Sequence, residues 1–557
     1  MQKVQKDVQL RLPPWKALDE GSLRKALGLG RDDRFVIVKK SIDARRRDVM
    51  VDLVVRVNPE KPLFEPIQLK DVGSSSHGFD PSSNACSGDA GVVSASQPRQ
   101  VVVVGSGPAG LFAALTLLEK GIKPIVLERG RDVHSRRRDI ALISTQGKVD
   151  PQSNYSFGEG GAGAFSDGKL FTRSKKRGEN SKVLNMFVQF GASESILYEA
   201  HPHIGTDKLP KIVEAMRNAI IQHGGEVRFQ TQMTNILVEK GVCVGCMAKN
   251  LETGHEESIS GPVILAVGNA ARDTFQMLLD KGVHVEAKDL AMGVRLEHPQ
   301  HLIDCIQYHN PNGRGEFLPA AEYSFATQVP SIDSSCGRGT LGVYSFCMCP
   351  GGFVVPAASN ADQVVVNGMS PSSRGSKWAN SGMVVEFSTS LAGDDDYVHQ
   401  NPLCMMDIQQ RLENAAFKAA GCTQKAPSQR MVDFIEGRTS SSLPATSYSP
   451  GLTPCDMRSV LPSFASHALS SAFQTFGRYA HGFLTNEAIL IGTETRTSSP
   501  IRITRKPDTL ESTSLSGLFP CGEGAGYAGG IARKVKLLEL EHADMHRFFV
   551  PKTGTAL

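Results

Sequence analysis

Near its start the chain alternates apolar and polar positions. Val8, Leu10 and Leu12 are separated by Gln9 and Arg11, the period-two pattern of a strand with one buried face. Phe35–Val38 and Val51–Val57 read as two further strands. Ser22–Leu27 reads as a short helix with Ser22 as its N-cap. Together they predict a small α+β module over residues 1–66. The charged run Ser41–Asp48, with Arg45, Arg46 and Arg47, reads as a solvated hairpin, phosphate binding being the alternative. Over 67–99 Ser, Gly, Asp and Pro take over. So few large apolar residues cannot offset the entropy of ordering, which predicts a flexible linker.

Apolar runs return at residue 100. Val101–Val104 reads as a buried strand, Leu111–Lys120 as an apolar helix and Pro124–Leu127 as a second strand. The uncharged stretch Val101–Leu118 is long enough to be weighed as a membrane span. Gly105, Gly107, Pro108 and Gly110 interrupt it where a βα turn belongs, so no transmembrane segment is expected. Short apolar runs between turn residues over 290–480 suggest a mixed α+β substrate or cap domain. The expected fold is α/β: a Rossmann-type cofactor-binding domain, whose ligand the motifs below narrow to FAD, with that α+β domain inserted and the small N-terminal module in front. Its segments are 1–66 (module), 67–99 (linker), 100–289 (first part of the Rossmann-type domain), 290–480 (cap), 481–535 (its last part) and 536–557 (an atypical tail).

Composition narrows the function classes. Lys and Arg number 61 against 57 Asp and Glu, a net charge of +4 too weak and too evenly spread to give reason to expect a nucleic-acid partner. Eleven Cys in a chain whose opening Met1–Asp7 lacks the apolar core of a secretory signal suggest free thiols in a reducing compartment. Cys243 and Cys246 form a C-x-x-C inside an alternating run. No second C-x-x-C follows, so a structural pair is favoured over a redox or metal pair, and no metal site is expected.

The chemistry begins at Gly105-Ser-Gly107-Pro-Ala109-Gly110, between a four-valine strand and an apolar helix. Gly105 permits the tight turn, Gly107 lets backbone approach a pyrophosphate, and Gly110 lets helix and strand pack closely. Glu128, 23 residues after Gly105 and followed by Arg129, ends the next strand and can accept from ribose hydroxyls. This motif alone does not separate FAD from NAD. Ala266-Val267-Gly268 resembles the Ala-Thr-Gly strand end of large flavoproteins, and the late Gly522-Glu523 pair, with its glycine-rich continuation to Gly529, Gly530 and Ile531, resembles the C-terminal flavin motif; those resemblances favour FAD and imply an acid on the ribityl chain and a helix start facing the flavin. Gly160, Gly161 and Gly163 lie in a glycine cluster suited to running beside a flat cofactor, and Ser166, Asp167 and Lys169 bring polar groups next to it. His203, set between Pro202 and Ile204-Gly205, is the candidate proton-transfer residue, against a structural role. With His201 alone it makes no metal site. Cys347, in Cys347-Met348-Cys349, is a candidate for electron exchange with the flavin. Arg374, Lys377, Arg438 and Arg496 are candidate anion anchors, or else ordinary salt-bridge and surface charges.

Several longer strings carry a family resemblance: Phe157–Leu170, Pro202–Leu209, Tyr344–Gly352, Asn367–Ser370, Gly492–Pro500 and Gly522–Gly530. In these the chain resembles a family of FAD-dependent oxidoreductases found in bacteria and plant plastids, over nearly all of residues 35–531 except the linker. The resemblance implies a glutathione-reductase-like assembly and FAD as cofactor. It also implies, for the plant members, a chloroplast stromal setting linked to photosynthetic electron flow; a cytoplasmic setting is the alternative. A second dinucleotide motif does not follow a strand. The electron donor is therefore left between a carrier protein, transient NAD(P)H and the small-molecule substrate itself. After Ile531 the charged run Ala532–His546 departs from the small-residue helix the family pattern expects.

Overall fold

In the computed structural model, residues 5–73, 100–170, 180–332 and 339–527 are described. The N-terminal module is a sheet of β1 (Lys6–Leu12), β2 (Phe35–Asp43) and β3 (Met50–Val57), antiparallel in the order β1-β3-β2. Val51, Leu53 and Val55 bury one face of β3, and Leu23 of the helix Glu20–Leu27 packs on them. The cap of that helix is Asp19, not Ser22: the Ser22 backbone N–H donates to the Asp19 carboxylate at 2.6 Å. The helix begins two residues before the predicted start, so Ser22 falls inside its first turn.

The stretch after the module is no linker at its beginning. Ile67, Leu69 and Val72 pack on the core of the next domain. The Ile67 N–H donates to the Gln189 side chain and the Val72 N–H to the His223 carbonyl, both at 2.9 Å. Three apolar side chains spread among polar neighbours are enough to seat an extended strap, which an average over composition conceals. The remainder of the predicted linker, 74–99, lies outside the described residues.

Then come β4 (Gln100–Val104), β5 (Lys123–Leu127) and β6 (Glu226–Arg228), followed by an antiparallel meander of β7 (Thr231–Glu239), β8 (Val242–Asn250) and β9 (Glu256–Ser260), and by β10 (Val263–Leu265). The last described strand, β22 (Leu518–Pro520), closes a parallel sheet in the order β22-β10-β4-β5-β6. Val101–Val104 are buried throughout, as parallel strands covered on both faces require. The weighed membrane span is thus a strand and the helix Pro108–Glu119. Among the described residues no helix is long and apolar enough to cross a membrane. Cys243 and Cys246 are buried on β8 with free thiols. Burial pushes Cys243 up to about 11 and Cys246 up to about 12, the state of inert core residues.

The second domain is built on a sheet ordered β13-β14-β17-β12-β20-β18-β19. These are β12 (Leu290–Pro299), β13 (Ala326–Pro330), β14 (Thr340–Cys349), β17 (Trp378–Phe387), β18 (Ala426–Arg430), β19 (Leu452–Pro454) and β20 (Ile489–Glu494). Two small pairs flank it: β15 (Phe353–Pro356) with β16 (Val366–Met369), and β11 (Val285–Ala287) with β21 (Ile501–Ile503). The helix Ser463–Tyr479 buries Phe464, Leu469, Phe473 and Phe476 in this domain's core. Since β20 pairs with both β12 and β18, the chain returns to the first domain after Glu494, not at 481. An apolar strand such as Ile489–Glu494 fits a cap sheet and a nucleotide-binding sheet equally well, so its sequence does not assign it.

Candidate functional site

Three glycine turns meet at the carboxyl ends of β4, β10 and β22, the edge of an open α/β sheet where ligands bind. Gly105 has φ +103°, and a Cβ there would lie 2.4 Å from the Ala266 carbonyl oxygen; one on Gly110 would lie 1.8 Å from that of Gly105. A Cβ on Gly524 would lie 2.2 Å from the Gly268 oxygen. The turns are therefore packed backbone to backbone. Gly107 and Gly268 instead border the cleft these turns enclose, and Gly268, at φ +72°, has open space where its side chain would be. Ala109, Glu128, Arg129, Gly161 and Glu523 also line it. Gly107 caps the helix Pro108–Glu119 without a side-chain acceptor, leaving first-turn amides to a phosphate.

The glycine cluster forms the opposite wall. Gly161 lies against Gly107, and the Gly160 N–H donates to the Ser106 carbonyl at 2.9 Å; Gly163 is buried just behind. Arg136, fully buried, fixes this wall by donating to the carbonyls of Asn154, Tyr155, Gly158 and Glu159. Nothing in the sequence around Arg136 marks it for that task, because its acceptors are backbone carbonyls. Asn269, also unforeseen, donates to Glu523 at 3.0 Å and so orients the late acid. Thr231, Gln232 and Met233 at the start of β7 complete the cleft.

Glu128 lines the cleft and also braces it. Its carboxylate accepts from the Ser106 N–H and hydroxyl on one oxygen, and from the Gly130 and Gly158 N–H groups on the other, at 2.8–2.9 Å, so it clamps the dinucleotide turn to the glycine cluster. Arg129 stacks 4.4 Å above the Phe157 ring, pairs with Asp273, and keeps a buried Nε without a partner. The residues fit FAD: a glycine turn and helix start for the pyrophosphate, the open face of Gly268, and Glu523 held by Asn269 for the ribityl chain. Gly529, Gly530 and Ile531, and the tail beyond them, lie outside the described residues.

The two candidate catalytic residues are elsewhere. His203 lines a separate chamber of about 590 Å³ between the module and the cap domain, with Lys40 and Ile42 on one side and Tyr308, Leu318, Glu322 and Arg374 on the other. The segment from Gly158 joins the two sites. After the glycine cluster it reaches Asp167, which pairs with buried Arg374 at 2.9 Å, and Lys169, which bridges to His203 through the backbone. His203 Nε2 lies 3.2 Å from the Ser372 carbonyl, so the proton sits on Nε2 and Nδ1 is left as acceptor. Burial first, then Arg374, hold its pKa below the ordinary imidazole value. Cys347 lies on β14 and lines neither site.

The four candidate anion anchors all have partners within the chain. Arg374 pairs with Asp167, Arg438 with Asp433 and Glu436, and Arg496 with Glu413, while Lys377 sits 4.6 Å from the Trp378 ring. Of these only Arg374 borders the chamber.

Comparison with known proteins agrees with this geometry. Residues 99–148 and 162–311 match two families each described as "FAD binding domain", and 289–497 match "FAD-dependent protein, C-terminal domain-like". Residues 4–58 match a domain of unknown function. An uncharacterized protein of Clostridium beijerinckii is 39% identical over 541 residues, 96% of each chain. Among solved structures, Escherichia coli quinol fumarate reductase overlaps at a TM-score of 0.34 and 14% identity, covering 82% of this chain and 71% of its own. A geranylgeranyl bacteriochlorophyll reductase-like protein of Thermoplasma acidophilum overlaps at 0.32 and 13%, covering 80% and 78%. Overlap at that level extends to neither substrate nor reaction.

Proposed function

Since the chain belongs to the same family as its clostridial relative and itself matches FAD-binding domains, we propose that it is an oxidoreductase whose small-molecule substrate occupies the chamber between the N-terminal module and the cap domain. The observation that carries this reading is the single run of chain, Gly158 to Lys169, that forms a wall of the cofactor cleft and then reaches the Asp167–Arg374 pair and His203 at the chamber. Bound FAD supplies hydride or electron transfer. The chain supplies the rest. Backbone at Gly105–Gly110 and the carboxylate of Glu523 bind and orient the cofactor, and Phe157 and Ala270–Ala271 narrow the cleft against water. His203, neutral at physiological pH with a free Nδ1, takes up or returns the proton that accompanies oxidation or reduction of a substrate. The chamber lies within the range of about 300–1,000 Å³ common to small-molecule sites, and Ile42, Leu318 and Pro319 make its lining partly apolar.

NAD(P)H as a transient reductant and a plastid electron-flow setting belong to the same proposal. Without a second dinucleotide motif in the sequence any NAD(P)H contact is transient, with a carrier protein or the substrate itself as the alternative donor, and the plastid setting is supported by family resemblance. The test is steady passage of electrons from NADPH or NADH to an artificial quinone by the FAD-loaded chain. Turnover is expected, and a His203→Gln variant is expected to lower it about a hundredfold with the flavin spectrum unchanged. A chain that binds FAD and is reduced by neither nucleotide takes its electrons from a carrier protein or from the substrate, and one that turns over with no donor of any class is a flavin-binding scaffold instead.

A further inference from the structure

The Cys347-Met348-Cys349 segment has a geometry that the flavin reading does not use. β14 runs in register with β17 as far as Phe346, opposite Gly382, and resumes at Cys349, opposite Asn380, so the bulge falls at Cys347 and Met348. Within it Cys347 has φ +48°, a left-handed conformation uncommon for a side-chain-bearing residue. Such strain collects at functional positions, and bulges re-aim side chains. The result is an asymmetric pair: residue Cys347 reaches the surface while Cys349 and Met348 are buried.

Behind the pair lies a fully buried cation. The Arg295 guanidinium donates to the Cys347 carbonyl at 3.0 Å and stands 3.6 Å from the Cys349 sulfur. It is balanced by Glu494 at 3.1 Å and positioned by Asn380 at 3.0 Å. Room for it is reserved, because a Cβ on Gly368 would lie 2.1 Å from an Arg295 nitrogen. Lys169 donates to the Met348 carbonyl and adds a second positive charge. Interaction with the Cys349 thiol, and then Arg295 and Lys169, outweigh burial and draw Cys347 down to about 7, whereas Cys349 is pushed up. An acidified thiol on a surface residue beside a buried partner is the arrangement of an attacking and a resolving cysteine.

We propose that Cys347 and Cys349 form a redox-active dithiol that cycles with an intramolecular disulfide, Cys347 attacking and Cys349 resolving, with Arg295 holding the sulfur-borne charge. The oxidant is a disulfide, either of a small thiol or of a partner protein. The Cys347 thiolate attacks one of its sulfurs and a mixed disulfide forms. The first thiol leaves, taking up the proton Cys347 gave to solvent. Cys349 then attacks the Cys347 sulfur, its proton passes to the second leaving thiol, and two electrons have moved from the pair to the oxidant. A dithiol reverses the sequence.

The experiment equilibrates the full-length protein in glutathione redox buffers, blocks remaining thiols by alkylation and maps tryptic peptides by mass. The peptide of residues 339–374 holds Cys347 and Cys349 and no other cysteine. It should convert to an unalkylated form about 2 Da lighter than the dithiol, over a buffer range that leaves exposed Cys422 unpaired within the chain. Cys349→Ser should stall as a mixed disulfide on Cys347. At pH 7, alkylation of Cys347 should run about tenfold faster than that of Cys422, following thiolate fraction. Because the first readout is made on the wild-type chain, it does not depend on any variant folding. A peptide that stays doubly alkylated throughout, or that stops at a glutathione adduct in the wild type, overturns the proposal.

Discussion

At the scale of single residues, the cofactor cleft depends on what is missing from its glycines. Gly110 has no need of positive φ, yet a methyl there would meet the Gly105 carbonyl oxygen at 1.8 Å, an atom that cannot yield without opening the dinucleotide turn. Gly110→Ala should therefore abolish retention of FAD through purification. Gly254→Ala, where nothing lies within 4 Å, meets only the strain of its φ of +74°, about 1 kcal/mol, and should keep the cofactor. Equal flavin content in the two variants would contradict this account of the turn. The importance of Gly105, Gly107 and Gly110 was legible because spacing within a turn is local information. The partners of the buried charges were not. Asp167 is 207 positions from Arg374, and nothing near either residue distinguishes a committed arginine from a substrate anchor. Glu128 is the intermediate case: its place at the end of β5 was readable, while the Gly158 donor that helps fill its acceptor sites arrives from 30 residues away.

At the scale of elements, β12 is the strand that most constrains the second domain, being buried along nearly its whole length between β17 and β20. Its alternation is masked because both faces are covered, so it carries Arg295, Glu297 and His298 inside the protein, a composition that on periodicity alone argues for an exposed face. His298 bonds through Nε2 to the Phe483 carbonyl at 2.8 Å and packs 4.6 Å from that ring, and burial lowers its pKa from 6.5 to about 4. The unfolded chain thus binds the proton first as pH falls. The stability that follows from a neutral His298 is present above pH ~6.5 and is lost between there and pH ~4, at about 1.4 kcal/mol per pH unit. Denaturant unfolding of the wild type and of His298→Gln at pH 7.5 and 5.5 should show a steeper loss for the wild type, by about that amount over the unit below 6.5. Parallel losses would mean that His298 is not held neutral.

At the scale of the whole molecule, the centre of the parallel sheet was readable in advance because β4 and β10 are apolar runs that lead into glycine turns, whereas its edge strand β6, Glu226-Val227-Arg228, has no such pattern. The division between domains was less so. The cap sheet takes β20 from a stretch that looks equally suited to the first domain, and the strap at 67–73 seats itself with three apolar side chains in a polar stretch. The chamber could not have been foreseen from any one segment, since its walls come from the module, from the turn before His203 and from the cap. All of this organisation rests on the claim that the converging glycine turns hold FAD. An absorption spectrum of the purified full-length chain, before and after reconstitution with FAD, tests that claim most directly. Bands near about 370 and 450 nm, as bound oxidised flavin gives, with FAD released on denaturation in equal proportion to protein, are the expected result. A folded chain that shows no flavin bands even after reconstitution would contradict it.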